Sequence, residues 1–129
     1  MNIKLNTDQR YWLEKARTTY GDYNQIMVSN EELCELAAVC AKYPRFSDPE
    51  EARKELHLKA LDEVADVIIV LDHIVNIFGL DQGEIESRIA AKIDRLERWL
   101  STNNSMDTTT KDRYVEGDSP VEDEDWDCK

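Results

Sequence analysis

The sequence predicts an all-α fold built from four helices. Apolar residues recur at the helical spacing of 3.6 in four stretches, and no stretch alternates apolar and polar residues as a half-buried strand does. Residues that favour helix starts and stops separate these stretches. The length of 129 residues suits one domain, and we expect a helical domain over 1–103 followed by a tail over 104–129.

The expected helix boundaries follow from capping residues. The first helix begins at Asn6 or Thr7 and ends at Gly21, and the second begins near Asp22 and ends before Pro44. The third is capped by Ser47 or Asp48, with Pro49 at its first helical position, and ends at Gly79. The fourth begins at Asp81 with Glu84 and ends near Leu100. The second helix has a competing start, because Ser29 and Glu32 have the spacing of a capping box. We favour the longer helix, since apolar residues keep helical spacing through Ser29.

The third predicted helix is unusually apolar. From Leu61 to Phe78, apolar residues fall on most of its sides. A helix that is apolar all round lies at the centre of a bundle or in a subunit interface. We therefore expect it to form the middle of the fold and to bury a surface between copies of the chain.

The formal net charge of −12 is shared equally between residues 1–100 and 101–129. Binding to a nucleic-acid backbone requires a basic patch, so this balance argues against a nucleic-acid polymer as partner. The tail over 104–129 combines polar residues with the acidic run Glu122–Asp127. It has too little apolar surface to offset the entropy of ordering, and we expect it to be flexible and dispensable.

The sequence also indicates a cytoplasmic protein without a membrane segment. Apolar runs such as Val67–Leu71 are too short to span a bilayer, and the first residues lack the apolar core of a signal peptide. The three cysteines, Cys34, Cys40 and Cys128, form an odd and scattered set. Such a set is typical of reduced thiols in a cytosol.

Two acidic clusters carry the chemistry that the sequence predicts. Glu32 and Glu35 project from one face of the second helix, and Glu63 and Asp66 project from one face of the third. Carboxylates beside the apolar run Val67–Leu71 are costly to bury without compensation. If the two helices face each other, four carboxylates meet and cannot all stay ionised without a positive partner. Mg²⁺ or Mn²⁺ held by oxygen ligands is the simplest such partner.

Three interpretations of these acids compete. They are solvated helix faces, or a di-iron centre, or an all-oxygen site for Mg²⁺ or Mn²⁺. A di-iron centre in a helical bundle needs Glu-x-x-His from two helices. Lys54 precedes His57 and Val70 precedes His73 at that spacing, so neither histidine fits. We expect both histidines to be surface or packing residues.

The ordered pair of acidic motifs resembles a known family. Glu31-Glu32-x-x-Glu35, a gap of 27 residues and then Glu63-x-x-Asp66 are similar to the signature of the MazG-like all-α nucleoside triphosphate pyrophosphohydrolases. The resemblance covers roughly residues 20–100. Further similar positions are Tyr20-Gly21, Gln25-Ile26-Met27, Ala65-Asp66-Val67 and Phe78-Gly79.

This resemblance implies an enzyme that needs Mg²⁺, with Mn²⁺ as an alternative. The family cleaves a nucleoside triphosphate between the α- and β-phosphates and releases a monophosphate and pyrophosphate. By this resemblance the metal ligands are Glu32, Glu35, Glu63 and Asp66. Glu31 matches the first acid of the motif, and either activates water or supports neighbouring bases. Family members of this size are usually dimers or tetramers, which implies a homodimer or homotetramer.

The last core helix of the family often carries Lys, Asn and Arg at steps of three. Lys92 and Arg98 match this pattern, while Arg95 stands where Asn is usual, which puts the Asn-dependent contact in doubt. The resemblance implies that these bases bind the substrate phosphates and that Lys92 also takes part in catalysis. The alternative is a solvated helix face with pairs such as Asp94 with Arg98.

The nucleotide base is not identified by the sequence. Gln25 and Asn24 are our candidates for the base-binding residues, and canonical, damaged and alarmone-like nucleotides all remain open. The competing hypothesis is a non-catalytic helical module, of phage or mobile-element origin, that binds nucleotides or another protein.

Overall fold

The computed structural model describes residues 4–43 and 49–102. Four helices occupy these ranges: α1 (Thr7–Tyr20), α2 (Asp22–Cys40), α3 (Glu50–Ile77) and α4 (Gln82–Thr102). The described ranges contain no strand, which confirms the all-α prediction. The chain divides into two compact units, one with α1, α2 and α3 and the other with α4. That the four helices form one bundle stays a prediction, and the tail over 104–129 lies outside the described residues.

Local chemistry fixes both ends of α1. The Asn6 side chain accepts a hydrogen bond from the Gln9 amide, and the Gln9 side chain accepts one from the Asn6 amide, both at 2.8 Å. This reciprocal capping box satisfies two backbone donors that would otherwise lack partners. Gly21 ends the helix with a φ of 85°, a conformation that side chains with a Cβ rarely adopt. The predicted cap and stop are thus confirmed.

The starts and stops of α2 and α3 follow the predictions closely. The second helix begins at Asp22 and continues through Ser29, so the longer of the two alternatives is confirmed. The third begins at Glu50. The expectation that Pro49 occupies the first helical position is wrong, because Pro49 has an extended conformation and is the N-cap. The third helix runs unbroken for 28 residues, and Gly79 follows it with a φ of 62°.

The buried residues lie along one seam between α2 and α3. Every residue that is buried in the described ranges occupies positions spaced alternately three and four apart on one of these two helices. The seam positions are Gln25, Ser29, Glu32, Leu36 and Val39 on α2, and Glu63, Asp66, Val70, His73 and Ile77 on α3. Glu32 interacts with Asp66, and Glu35 with Glu63, so the two helices run antiparallel.

Few large apolar side chains are buried in this seam. Val39 and Val70 are the buried hydrophobic residues of the described ranges, whereas Leu61 and Leu71 on α3 are about half exposed. The third helix is therefore not enclosed on all sides within one chain. Self-association through it, which its apolar sequence predicted, stays a prediction.

The sequence led to one expectation about membrane-spanning segments and another about the state of the cysteines. None of the described helices combines the length and the apolarity that crossing a bilayer requires. The expectation of reduced thiols is wrong for Cys34, which is disulfide-bonded. Cys40, by contrast, is a free and exposed thiol.

Candidate metal centre

The antiparallel packing of α2 and α3 brings three of the predicted ligands together. One carboxylate oxygen each from Glu32, Glu63 and Asp66 lies within 4.8 Å of the other two. Two oxygens on opposite sides of a Mg²⁺ ion are about 4.2 Å apart, given bonds of 2.0–2.1 Å. These three residues are therefore spaced closely enough to share one ion after a small closure.

Two carboxylate oxygens in this group are buried and have no hydrogen-bond partner within the described ranges. They are the Oε2 atoms of Glu32 and Glu63. Glu63 is only 7% exposed, and Glu32 is half-buried. Buried polar atoms in folded proteins nearly always have a partner, because an unpaired one loses its hydration without compensation. A cation bound beside these two oxygens would supply the missing partner and compensate for their lost hydration.

The charge around Glu32 is almost entirely negative. Burial raises the pKa of its carboxyl group, and the charges of Asp66, Glu35, Glu63 and Glu31 raise that pKa further, in decreasing order. Burial disfavours the charged form of a carboxyl, and like charges have the same effect. These surroundings disfavour the ionised form of Glu32, and a bound cation would favour it.

Glu63, on α3, has surroundings similar to those of Glu32. Burial is the main cause that raises its pKa, followed by the charge of Glu35, a hydrogen bond to Glu35 and the charge of Asp66. A hydrogen bond between two carboxyl groups requires one of them to carry the proton. The charge of Lys59, one turn earlier on α3, acts in the opposite direction. Sequence reasoning missed Lys59, although its i,i+4 spacing from Glu63 was a usable signal.

This arrangement is suited to one hard divalent cation. Glu32, Glu63 and Asp66 would hold it, with Glu35 at the rim beside Glu63. A cation and a proton compete for such a site, since carboxylates must be deprotonated to act as ligands. Three carboxylates would leave further coordination positions of such a cation open to water.

The remaining predicted acids and amides lie near this group or on the same helix. Glu35 and Glu31 are exposed, and the charge of Glu31 is the smallest of those that act on Glu32. Gln25 is buried on the seam, whereas Asn24 is exposed. The Asn24 side chain donates to the Tyr20 carbonyl oxygen at 2.7 Å, so this amide already has a partner within the chain.

The predicted phosphate-binding residues belong to α4. Lys92, Arg95 and Arg98 are exposed on this helix, which is a unit separate from the one that holds the acids. Their role in phosphate binding, and that of Lys92 in catalysis, stay predictions.

A second polar cluster on α3 escaped the sequence reasoning. Arg17 on α1 donates from Nη1 to Asp72 Oδ2 at 3.1 Å, and the same nitrogen lies 3.1 Å from His73 Nδ1. A guanidinium group only donates hydrogen bonds, so Nδ1 must accept and the ring is neutral. We call Arg17, Asp72 and His73 the arginine node.

The arginine node joins α1 to α3 and leaves its charges compensated. The side chains of Arg17 and Asp72 are 12% and 16% exposed. Burial is the main cause that lowers the pKa of His73, the charge of Arg17 lowers it further, and Asp72 acts in the opposite direction. His73 is 3% exposed, in agreement with its expected role in packing, and His57 is exposed.

Comparison with known proteins adds no relative to this description. No protein-family model, no curated protein and no solved structure matches the chain. The resemblance to the MazG-like family therefore rests on the two acidic motifs, with the residues around them, and remains a proposal.

Proposed function

We propose that the chain is a metal-dependent, MazG-like nucleoside triphosphate pyrophosphohydrolase. It cleaves between the α- and β-phosphates and releases a monophosphate and pyrophosphate. The observation that carries this proposal is the pair of buried, unpartnered oxygens, Glu32 Oε2 and Glu63 Oε2, beside Asp66. Solvated helix faces, the simplest alternative, would leave their carboxylate oxygens in water rather than buried.

The chemistry of the donor set favours a hard cation. All candidate ligands are carboxylates, and Mg²⁺ and Mn²⁺ prefer such oxygens. When bound, the ion supplies charge neutralisation on the phosphate oxygens and lowers the pKa of a water molecule. Glu32, Glu63 and Asp66 would hold the ion, and Glu35, which interacts with Glu63, would be the fourth ligand that the resemblance implies.

The other residues take the roles that the resemblance implies. Glu31 lies beside the ligands on α2 and either orients the attacking water or supports neighbouring bases. Lys92, Arg95 and Arg98 bind the phosphates and stabilise the leaving pyrophosphate, since catalysis of phosphoryl transfer depends mainly on charge and position. Gln25, buried on the seam, is a stronger candidate for a contact with the nucleoside than Asn24, whose amide is already engaged.

We further propose that the enzyme works as a homodimer or homotetramer. The exposed apolar residues of α3 are the observation that supports association. A short helical chain with a small core gains stability when a second copy covers such a surface.

A second candidate function is a non-catalytic helical module, of phage or mobile-element origin, that binds a nucleotide or another protein. The exposed apolar residues on α3 and α4 favour it, because contiguous apolar surface is typical of interaction sites. This candidate and the enzyme differ in one measurable property, the turnover of a nucleotide.

The decisive experiment is a panel of nucleotides, canonical, oxidised and alarmone-like, assayed for pyrophosphate release with Mg²⁺ or Mn²⁺ and with a chelator. We expect metal-dependent release from at least one of them, which is lost in Glu63→Gln. Asp62→Asn is the matched control, because Asp62 is an exposed neighbour on the same helix. Absence of release from every nucleotide, with metal binding intact by calorimetry, would leave the binding module as the function.

A further inference from the structure

The two cysteines of the described ranges differ in their bonding state. Cys34 is disulfide-bonded, whereas Cys40 is a free and exposed thiol. The sequence contains one further cysteine, Cys128, which lies outside the described residues. Because a cysteine sulfur forms one disulfide and Cys40 is excluded, elimination within the chain leaves Cys128 as the partner of Cys34.

We propose that Cys34 and Cys128 form a reversible disulfide within one chain, which anchors the end of the tail to α2. Its formation joins the two sulfur atoms and transfers two electrons and two protons to an oxidant. A small-molecule disulfide such as oxidised glutathione accepts them and is released as two thiols. The bond involves neither a metal nor a nucleotide, so it goes beyond the proposed function and does not depend on it.

The length of the chain after α4 permits this bond. Thr102 is the last described residue, and Cys128 follows it 26 positions later. An extended chain of this length spans up to about 90 Å. The longest described helix, α3, is about 42 Å long. The tail is therefore long enough to reach Cys34 without a change in any of the four helices.

Cys34 lies on the side of α2 that faces away from the buried seam. At 100° per residue, it is about 180° from the centre of the seam positions on α2, and its side chain is half-buried. The carboxylates of Glu32, Glu63 and Asp66 meet on the seam side of the same helix. Formation of the disulfide should therefore leave metal binding by these three residues unchanged.

The size of the closed loop sets the expected effect on stability. The disulfide encloses 93 residues between its two cysteines. A cross-link that closes a long loop stabilises a protein mainly by restricting the unfolded chain. Reduction should therefore lower the midpoint of thermal unfolding by at least about 5 °C. The expectation that the tail is dispensable then applies to the reduced chain only.

The test begins with peptide mapping of the full chain after incubation with oxidised glutathione. The protein is alkylated without reduction, digested and analysed by mass spectrometry. We expect one pair of peptides linked through Cys34 and Cys128, with Cys40 alkylated, and a band of monomer mass on a non-reducing gel. Three alkylated cysteines, a bond to Cys40 or a bond between two copies of the chain would overturn the proposal.

Thermal unfolding with and without a phosphine reductant then measures what the bond contributes. Cys128→Ser removes the bond without changing a described residue, and Cys34→Ser removes it from the side of α2. Both variants should unfold at the lower midpoint of the reduced wild type and should not respond to the reductant. Cys40→Ser is the matched control, because Cys40 lies on the same helix as a free thiol, and it should respond as the wild type does. A wild-type midpoint that the reductant does not change would refute the stabilising role of the bond.

Discussion

The arginine node and the group of Glu32, Glu63 and Asp66, which we call the acidic centre, both include residues of α3 within two turns of each other. They differ in whether their buried polar groups have partners. In the arginine node, Arg17 pairs with Asp72 and His73 at 3.1 Å, so each buried polar group has a partner. In the acidic centre, two oxygens of Glu32 and Glu63 are buried without a partner among the described residues, and the neighbouring charges are mostly of the same sign.

This difference separates a structural role from a functional one. Removing one member of a compensated cluster lowers stability, because the other charge is then buried and unpaired. An uncompensated cluster of acids lowers stability in the absence of a cation, because the carboxylates repel one another. A fold retains such an arrangement at low cost only if something else binds there, so the acidic centre is the better candidate for function. The following predictions test this contrast.

The largest effect is expected on turnover when a ligand of the acidic centre is neutralised. Glu63→Gln and Asp66→Asn keep the shape of the side chain and remove one charge. We expect each to lower kcat/KM by about 100-fold or more, a magnitude typical of lost electrostatic stabilisation at an active site. Metal affinity, measured by calorimetry, should fall in parallel. Asp62→Asn should change neither quantity, and full turnover in both ligand variants would refute the proposed centre.

The arginine node should affect stability rather than turnover. Arg17→Met leaves Asp72 without its partner and should lower the free energy of unfolding by about 2–4 kcal/mol, measured by denaturation with urea. Lys54→Met is the comparison, because Lys54 and Glu50 form an exposed pair at 3.3 Å on the same helix. Its effect should stay below about 0.5 kcal/mol. Equal losses of unfolding free energy in the two variants would mean that the arginine node does not stabilise the packing of α1 on α3.

Addition of Mg²⁺ or Mn²⁺ should stabilise the wild-type chain but not Glu63→Gln. At a metal concentration ten times Kd, the gain is about 1.4 kcal/mol. Without metal, Glu63→Gln should be as stable as the wild type or more so at neutral pH. Because the pKa of Glu63 is raised above 4.5 in the folded chain, ionisation at higher pH costs folding free energy, and glutamine avoids this cost. Thermal unfolding with and without metal measures both effects, and a variant that keeps the metal response would contradict them.

The smallest expected effect is the pH dependence contributed by His73. Its pKa is lowered from 6.5 in the folded chain, so the unfolded chain binds the proton first as the pH falls. The contribution of His73 to stability is therefore complete above pH 6.5 and is lost below it, as the pH falls towards the folded pKa. His73→Gln should flatten this part of the profile, while the exposed His57→Gln should not. Parallel profiles of stability against pH for the wild type and both variants would show that the arginine node does not hold the His73 ring neutral.

The predictions from sequence succeeded where the determining interactions are local. Asn6 and Gly21 were found because caps act within one turn of a helix. The convergence of Glu32 with Glu63 and Asp66 was also predictable, since each pair occupies one helical face and consecutive helices pack against each other.

The rest depended on packing that no local pattern specifies. Apolar periodicity was used to locate the core, but most of the buried seam is polar, with Gln25, Ser29 and His73 among its members. The hydrogen bond between Arg17 and His73 joins residues 56 apart, and it depends on how α1 docks on α3. Propensities along the chain contain no signal for such a contact.

Ser29 is a small residue at a buried position of the seam, where it affects the distance between α2 and α3. It is 1% exposed, and its hydroxyl donates to the Gln25 carbonyl of its own helix at 2.7 Å, so it needs no partner on α3. The distance between two packed helices depends on the size of the side chains at their contact. One turn further along α2 is Glu32, so the volume at Ser29 sets how far apart the carboxylates of the two helices stand. The ionic radius that the proposed metal centre accepts would then be adjustable from a residue that never touches the ion.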